Sequence, residues 1–296
     1  MQLTSNTLID DYLIAPDPGA PRLTRRVSGH DEHGQPVHIS VVEERPLTIY
    51  LNKQEIVTAM TIGDYPEYLA LGFLKNQGML SDVDDVTGVD YAEDIDTVVV
   101  RTASATTYEG KLEKKTRTSG CAVGTVFGDM MEGLEGLSLP ATKVHTSWLY
   151  TLAHKINTTP SLYLEAGAIH GTVLCQGDRP LVYMEDVGRH NAVDKIAGWM
   201  LSERVSAADK ILYTTGRMTS EMVIKTAQMG IPTLASRSGF TAWGVEIAQQ
   251  VGLTLIGRMK GQRFICLSGE DRLIRDMDPA HAPVEAKKHR RKGGEV

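Results

Sequence analysis

The sequence predicts an α/β protein, α+β overall, built as a smaller α+β domain followed by a sheet with helices packed on it. Two patterns carry that prediction. Across the second half, short apolar runs alternate with capped amphipathic stretches, the rhythm of helices laid on a parallel sheet. Across the first half, the apolar residues alternate with period two and are interrupted by one helical stretch, which suits a small half-buried sheet. A chain of 296 residues also exceeds one minimal core, so two domains are expected.

In chain order, residues 1–36 contain APDPGAPRLTRRVSGHDEHGQP, rich in Pro, Gly and charge, and read as an extended leader. VHISVVEERPLTIYLN then reads as two half-buried strands around a break at Glu44-Arg45-Pro46. Asp64 is a good N-cap for a helix over YPEYLALGFLKNQGML, with Leu69, Phe73 and Leu74 on one face and Gly78 ending it. DTVVVRT is a further strand. These elements place the first domain at 37–140.

The second domain is expected at 141–276. GTVLCQGDRPLVYMEDV reads as a hairpin turning at Gln176-Gly177-Asp178. HNAVDKIAGWMLSERV is a helix whose Val193, Ile196, Ala197, Met200 and Leu201 form a core-facing stripe. A strand KILYTT, a helix TSEMVIKTAQMG, a strand IPTLAS, a helix TAWGVEIAQQVG and a strand LTLIGRM follow. Ligands of such sheets bind beyond the carboxyl ends of strands. There TTGRMTSE, SRSGFTA and GRMKGQRF combine Gly with Ser, Thr or Arg, donors suited to an anion, although ordinary turns have the same composition. The tail, 277–296, has five Lys or Arg within Lys287 to Lys292 and reads as disordered, with docking to an acidic partner as the alternative.

Composition narrows the function classes. Lys plus Arg number 31 against 37 Asp plus Glu, a formal charge of −6, which argues against general binding of nucleic acid or anionic membrane surfaces. No apolar run approaches the roughly 18 residues of a membrane span. The first residues lack the basic start of a signal peptide, and three scattered cysteines do not make a disulfide framework. A reducing cytoplasm is the expected compartment.

Among the cysteines, Cys175 and Cys266 lie in apolar strand patterns, where packing is the ordinary role. Cys121 sits in TRTSGCAVGT, flanked by Gly120 and Gly124 and preceded by Lys111, Lys114, Lys115 and Arg117. Exposure and nearby cations favour the thiolate, the state that attacks sulfur electrophiles. A buried filler and a nucleophile both remain open on this pattern. A zinc site is disfavoured: position 124 is Gly where C-x-x-C would need Cys, and no H-x-E with a later P-C-x-x-C exists. Asp186, Arg189, His190, Asn191, Asp194 and Lys195 crowd the start of an otherwise apolar helix. They suit either a salt-bridged cap or the recognition of phosphate or a guanine edge. His170, in GAIHGT, is either a hydrogen-bonded structural residue or part of such a site.

MEDVGRHNAVDKIAGWML, followed by TTGRMTSEMVIKTAQMGIPTLASRSGFTAWGVEIAQQVGLTLIGRMKGQRF, closely resembles the FdhD-type formate dehydrogenase accessory sulfurtransferases. EERPLTIYLN, YLALGFLKNQGML and RTSGC also match, so the resemblance spans about residues 37 to 272. It implies a cytoplasmic sulfurtransferase that takes persulfide sulfur from a cysteine desulfurase. That sulfur passes to the molybdenum cofactor, in its bis-guanine-dinucleotide form, before the cofactor enters the formate dehydrogenase catalytic subunit. It further implies a cytidine-deaminase-like second domain without zinc, and a homodimer. Cys121 matches the first cysteine of the family's usual C-x-x-C, and Phe264, Ile265, Cys266, Leu267, Ser268 and Gly269 match its cofactor-binding segment. Asp186, Arg189, His190 and Arg217 are the further candidate cofactor contacts. Gly124 departs from the family pattern, so a partner thiol within the motif cannot release sulfur from Cys121. Two other readings stand beside this one: a cofactor-binding chaperone or bridging protein without sulfur transfer, and a nucleotide-binding regulator suggested by the glycine loops alone.

Overall fold

The computed structural model describes residues 12–80, 83–103, 134 and 136–283. Residues 12–36 of the expected leader take part in the fold, residues 1–11 lying outside the described residues: β1 (Thr24–His30) pairs antiparallel with β2 (Pro36–Val42). Ahead of it, Ile14 bridges Val182, and the Leu13 N–H donates to the Leu181 carbonyl at 2.7 Å. Prolines and glycines in this stretch break helix propensity but leave enough free N–H groups for pairing along an exposed sheet edge.

β3 (Arg45–Leu51), β4 (Gln54–Thr61), β5 (Val86–Ala92) and β6 (Thr97–Thr102) form a sheet in the order β4-β3-β6-β5. Helix α1 (Pro66–Asn76) covers it, and the predicted face of Leu69, Phe73 and Leu74 packs on Leu47, Ile49, Leu51, Val98 and Val100. Each such side chain contributes about 2 kcal/mol of burial. The expected cap at Asp64 is replaced. Tyr65 holds the cap position in the left-handed region, at φ 48°, and no side chain caps the helix. Asp64 instead accepts a hydrogen bond from the buried Lys195, because an ammonium with little access to water needs a carboxylate more than a helix end does.

After the two-residue strand β7 (Val144–His145), the second sheet contains β8 (His170–Gln176), β9 (Arg179–Asp186), β10 (Lys210–Thr214), β11 (Thr233–Ser236), β12 (Thr254–Lys260) and β13 (Arg263–Ser268). Its order is β13-β12-β11-β10-β8-β9. The sheet is mixed where a parallel one was expected. Only β10, β11 and β12 pair in parallel, and the β8–β9, β8–β10 and β12–β13 ladders are antiparallel. The reason is local, since a two-residue turn joins only antiparallel strands and such turns occur at Gly177-Asp178 and Gly261-Gln262. GRMKGQRF is therefore a hairpin rather than a loop leading into a helix.

Helices lie on both faces. α2 (Thr146–Thr158), which the sequence pattern did not reveal, packs Leu149, Leu152 and Ile156 on Val173, Cys175, Ile211 and Tyr213. After the single-turn α3 (Leu162–Glu165), helices α4 (Arg189–Ser202), α5 (Ser220–Gln228) and α6 (Ala242–Val251) cover the other face. Their Val193, Ile196, Met222, Val223, Ile247 and Val251 meet Leu174, Leu212, Leu234 and Leu255.

α4 is buried far beyond its predicted stripe because α1 crosses its outer side. A Cβ on Gly72 would stand 1.7 Å from the Asp194 carbonyl oxygen, and one on Gly198 would stand 1.9 Å from the Tyr68 carbonyl oxygen. Only two glycines allow backbones so close. That crossing buries Asp194 and Lys195, which then require partners. Lys225 Nζ donates to both Asp194 oxygens, at 2.8 and 2.6 Å, and Asn76 Nδ2 donates to Asp194 Oδ1 at 2.7 Å.

Candidate functional site

The pairing pattern brings the carboxyl ends of β9, β10, β11 and β12 to one edge, together with the starts of β8 and β13. The loops leaving that edge are tied to one another. Ser236 Oγ donates to the Gly216 carbonyl at 2.7 Å and accepts from the Ser238 N–H at 2.9 Å. The Met218 N–H reaches the Gly239 carbonyl at 2.9 Å, and the Arg258 N–H reaches the Ser238 carbonyl at 2.7 Å. Side chains on these loops are thus carried by a fixed backbone.

At the β9 end, Asp186 is fully buried and its oxygens are engaged. Oδ1 accepts from the Gly188 N–H at 3.0 Å and from Asn191 Nδ2 at 2.9 Å, while Oδ2 lies 2.5 Å from Thr61 Oγ1 and 2.6 Å from Lys195 Nζ. It joins the two halves of the molecule. His190 is also buried, with Nε2 3.1 Å from Glu221 Oε2, and burial holds its imidazole below the ordinary value against the pull of Glu221. Arg189 and Arg217 differ from both. Arg217 is exposed, Arg189 is half-buried beside Gly216, and neither has an ion-pair partner among the described residues. His170 Nδ1 lies 3.5 Å from Thr215 Oγ1, next to the Gly216 that Arg189 packs against and the Arg217 that follows it, and burial, followed by the Arg189 charge, lowers the His170 pKa. His170, Arg189 and Arg217 therefore share a positive corner suited to an anion.

The segment Phe264–Gly269 runs along the opposite border of the sheet, on β13. Five strand spacings of ~4.8 Å separate β9 from β13, about 24 Å in all. Strand alternation divides the segment. Phe264 and Cys266 turn toward the α2 face, whereas Ile265 and Leu267 are exposed at 42% and 40%. Ser268 and Gly269 lie at the far end of the strand, where a Cβ on Gly269 would come 2.6 Å from Thr254 Oγ1. Only Phe264 and Ile265 face the same edge as Arg189 and Arg217. The others, Cys266 to Gly269, line a separate cavity of about 450 Å³ beside Arg272.

Above Phe264 and Ile265 opens a cleft of about 690 Å³. Arg258, Lys260 and Arg263, all on the β12–β13 hairpin, line it together with Arg275. Arg275 pairs with Glu270 at 2.9 Å, but the other three have no ion-pair partner among the described residues. Arg258 sits at φ 53°, a left-handed residue that marks the irregular register of this hairpin. Aromatic rings complete the wall, with the Tyr150 and Phe264 centroids 5.9 Å apart at 48°. Cations beside aromatic faces suit a ligand that carries both phosphates and a planar base. Sequence reading quoted the hairpin without resolving its residues. It offered no signal for Tyr150, on an unrecognised helix, or for Arg275, beyond the last strand of the main sheet.

Cys121 and the basic run before it lie outside the described residues, as do residues 284–296 of the tail. Cys175 is fully buried, and burial pushes its thiol far above the ordinary value. Cys266 is half-buried, with Sγ 3.1 Å from the Ser268 carbonyl oxygen. Among the described residues, no three His, Cys, Asp or Glu side chains converge as a metal site. No described helix is long and apolar enough to cross a membrane.

Comparison with known proteins adds independent findings. The model of the FdhD/NarQ family matches residues 42–274. A protein of Listeria monocytogenes named sulfur carrier protein FdhD is 30% identical over 248 residues, covering 81% of this chain and 93% of its own. One of Sulfurisphaera tokodaii with the same name is 32% identical over 240 residues, covering 79% and 91%. A crystal structure of a formate dehydrogenase accessory protein from Desulfotalea psychrophila superposes with a TM-score of 0.69 at 27% identity. It covers 85% of this chain and 99% of that one. With its edge loops, its β12–β13 hairpin and its α1–α4 crossing all inside the matched span, the chain belongs to the FdhD/NarQ family.

Proposed function

We propose that this protein is a sulfur carrier in formate dehydrogenase maturation, moving sulfur from a cysteine desulfurase to the molybdenum cofactor in its bis-guanine-dinucleotide form. The observation that carries the reading is the cleft over Phe264 and Ile265. It sets three cations that have no ion-pair partner among the described residues, and two aromatic rings, at the edge of the sheet, a combination suited to guanine dinucleotide arms. The positive corner at His170, Arg189 and Arg217 extends the same edge and suits a ligand too long for one pocket. The names of the relatives support the sulfur-carrier part.

Cys121 is the proposed carrier. Its thiolate attacks the outer sulfur of the desulfurase persulfide, the S–S bond of the donor breaks, and the donor cysteine leaves as thiolate. In delivery the Cys121 S–S bond breaks with its electron pair returning to Cys121. The sulfur atom, now uncharged, takes two electrons from the reduced metal of the substrate. With Gly124 in place of a second cysteine, nothing within the motif competes for that sulfur. The protein is proposed to work in the cytoplasm, as a homodimer, between desulfurase and formate dehydrogenase. The exposed Ile265 and Leu267 on the outermost strand support a self-contact.

The same missing thiol favours a second reading, a cofactor-binding chaperone that transfers no sulfur. Mass spectrometry after incubation with desulfurase and cysteine separates the two. The carrier shows one added sulfur on Cys121, and Cys121→Ser abolishes maturation of the dehydrogenase. Full maturation with an unlabelled Cys121 would establish the chaperone instead. Guanosine diphosphate tests the cleft separately: Lys260→Ala and Arg263→Ala should each weaken its binding about fivefold, and more salt should weaken it further. Unchanged binding in both variants removes the cleft from the proposal.

A further inference from the structure

A further cavity, of about 460 Å³, lies where the first sheet, the start of α1, strand β9 and the stretch before β1 meet. It contains neither the positive corner nor the cleft over Phe264. Its wall carries Arg45, Asp64 and Glu185 among the rings of Tyr65, Tyr91 and Tyr183, with Ile62 and Leu162 as its apolar part; the exposed Asp17 also lines it, as do Arg22 and Glu93, which pair with each other.

The charges in this cavity are unequally satisfied. Asp64 shares the buried Lys195 with Asp186. Arg45 has no ion-pair partner among the described residues. Its stem lies against Gly63, where a Cβ would fall 2.6 Å from Arg45 Cδ, and its charge acts on the Tyr91 phenol. Glu185 is 3% exposed and receives one backbone N–H on each oxygen, from Leu162 at 2.8 Å and Tyr163 at 2.9 Å; Lys195 bonds its main-chain carbonyl, but no cation pairs with its carboxyl among the described residues. Each of its oxygens keeps a further lone pair. Burial pushes this carboxyl up to about 7, against its two backbone hydrogen bonds and the Lys195 charge.

Among the described residues, the Arg45 guanidinium and the Glu185 carboxyl thus line one cavity without pairing to each other or to another charged side chain. We propose that this cavity binds a free α-amino acid with an apolar side chain, its carboxylate on Arg45, its ammonium on Glu185 and its side chain among the tyrosine rings. Such a molecule spans about 8 to 9 Å between partners, counting two hydrogen bonds of ~2.8 Å and its own nitrogen-to-oxygen reach of ~3 Å. Either charge alone would leave one wall of the cavity unmatched. The ammonium also gains from the aromatic faces around it. This site goes beyond the sulfur-carrier reading and does not depend on it.

The test uses the full chain and isothermal titration calorimetry with L-leucine as probe, alongside isopentylamine and 4-methylvalerate, which each keep one charge and the same side chain. L-leucine should bind at least about tenfold more tightly than either analogue, the loss of one charge-assisted contact. Arg45→Met should weaken L-leucine about tenfold and leave isopentylamine unaffected. Glu185→Gln should do the converse. If Glu185→Gln fails to fold, because Glu185 supports the start of α3, Arg45→Met and the two analogues still decide the matter. Equal affinity for L-leucine and either analogue, or no L-leucine binding at about 10 mM, overturns the proposal.

Discussion

Replacing Gly198 by alanine sets two known effects against each other, and their magnitudes predict the sign. Gly198 lies inside helix α4, where alanine is favoured over glycine by about 1 kcal/mol on propensity alone. The added methyl would stand 1.9 Å from the Tyr68 carbonyl oxygen and 2.7 Å from its carbon, both main-chain atoms of α1. Ordinary contacts begin near 3.4 Å, so the helices must part by about 1.5 Å. No rotamer change can relieve a backbone contact. A gap of even ~1 Å forfeits a quarter to a half of the dispersion energy across the surfaces it separates. Opening the crossing also draws Asn76 away from Asp194 and Asp64 away from Lys195. A cost of about 4 kcal/mol against a gain of about 1 leaves a net loss of about 3 kcal/mol. Urea unfolding followed by circular dichroism should show a lower midpoint at an unchanged slope. An alanine variant as stable as the parent would refute the close crossing, and with it the reason that α4 is buried on all sides.

Other consequences follow from the buried charges. Lys225→Met should cost about 3 to 5 kcal/mol, because it strands Asp194, and adding Asp194→Leu should restore most of the loss. Equal instability of the single and double variants in urea would show that the pair is not the cause. Glu185 gives a pH dependence with a definite direction. Its folded-state pKa, about 7, lies above the unfolded value, so the native state holds a proton that the unfolded chain has lost. The resulting stability is complete below about pH 4 and falls as the pH rises to 7, by an amount on the order of 3 kcal/mol. Glu185→Gln should flatten that slope in a pH series of unfolding midpoints, and an unchanged slope would assign it to another group. Asp276 works in the opposite sense. The Ser147 N–H, followed by the Ser147 hydroxyl, holds its carboxyl below the usual range, so its support of α2 is present near neutrality and lost as acid protonates it. Asp276→Asn should remove that acid-side dependence, as read from midpoints between about pH 2 and 5.

How much of this was legible beforehand depended on whether the determining contact was local. The α1 face, the β8–β9 turn and the α4 stripe came directly from residue spacing, because each is set by neighbours a few positions away. Helix α2 was missed for the opposite reason. Its first-turn groups bond to Asp276, 129 residues from Ser147, so nothing at its own start marks a beginning. The same distinction explains the Asp64 error: a local rule favours it as a cap, but Lys195, 131 positions away, supplies a buried charge that outweighs a helix end.

The candidate site combines both kinds of information, and this shapes how its residues act. The segment Phe264–Gly269 was recognisable as a string, but it runs the length of an edge strand, so its start and its end reach different cavities at opposite ends of the sheet. Phe264 and Ile265 reach the cationic cleft, whereas Ser268 and Gly269 secure the strand against Thr254 at its other end. Substitutions at the two ends should therefore fail differently. Phe264→Ala should weaken binding of guanosine diphosphate while the protein unfolds at a similar urea concentration. Gly269→Ala meets both a φ of 74° and a Thr254 Oγ1 only 2.6 Å from its methyl, so it should lower stability by about 2 kcal/mol or more. Were both variants to lose nucleotide binding at full stability, the segment would act as one recognition loop, and its division between the two ends of the strand would have no bearing on function.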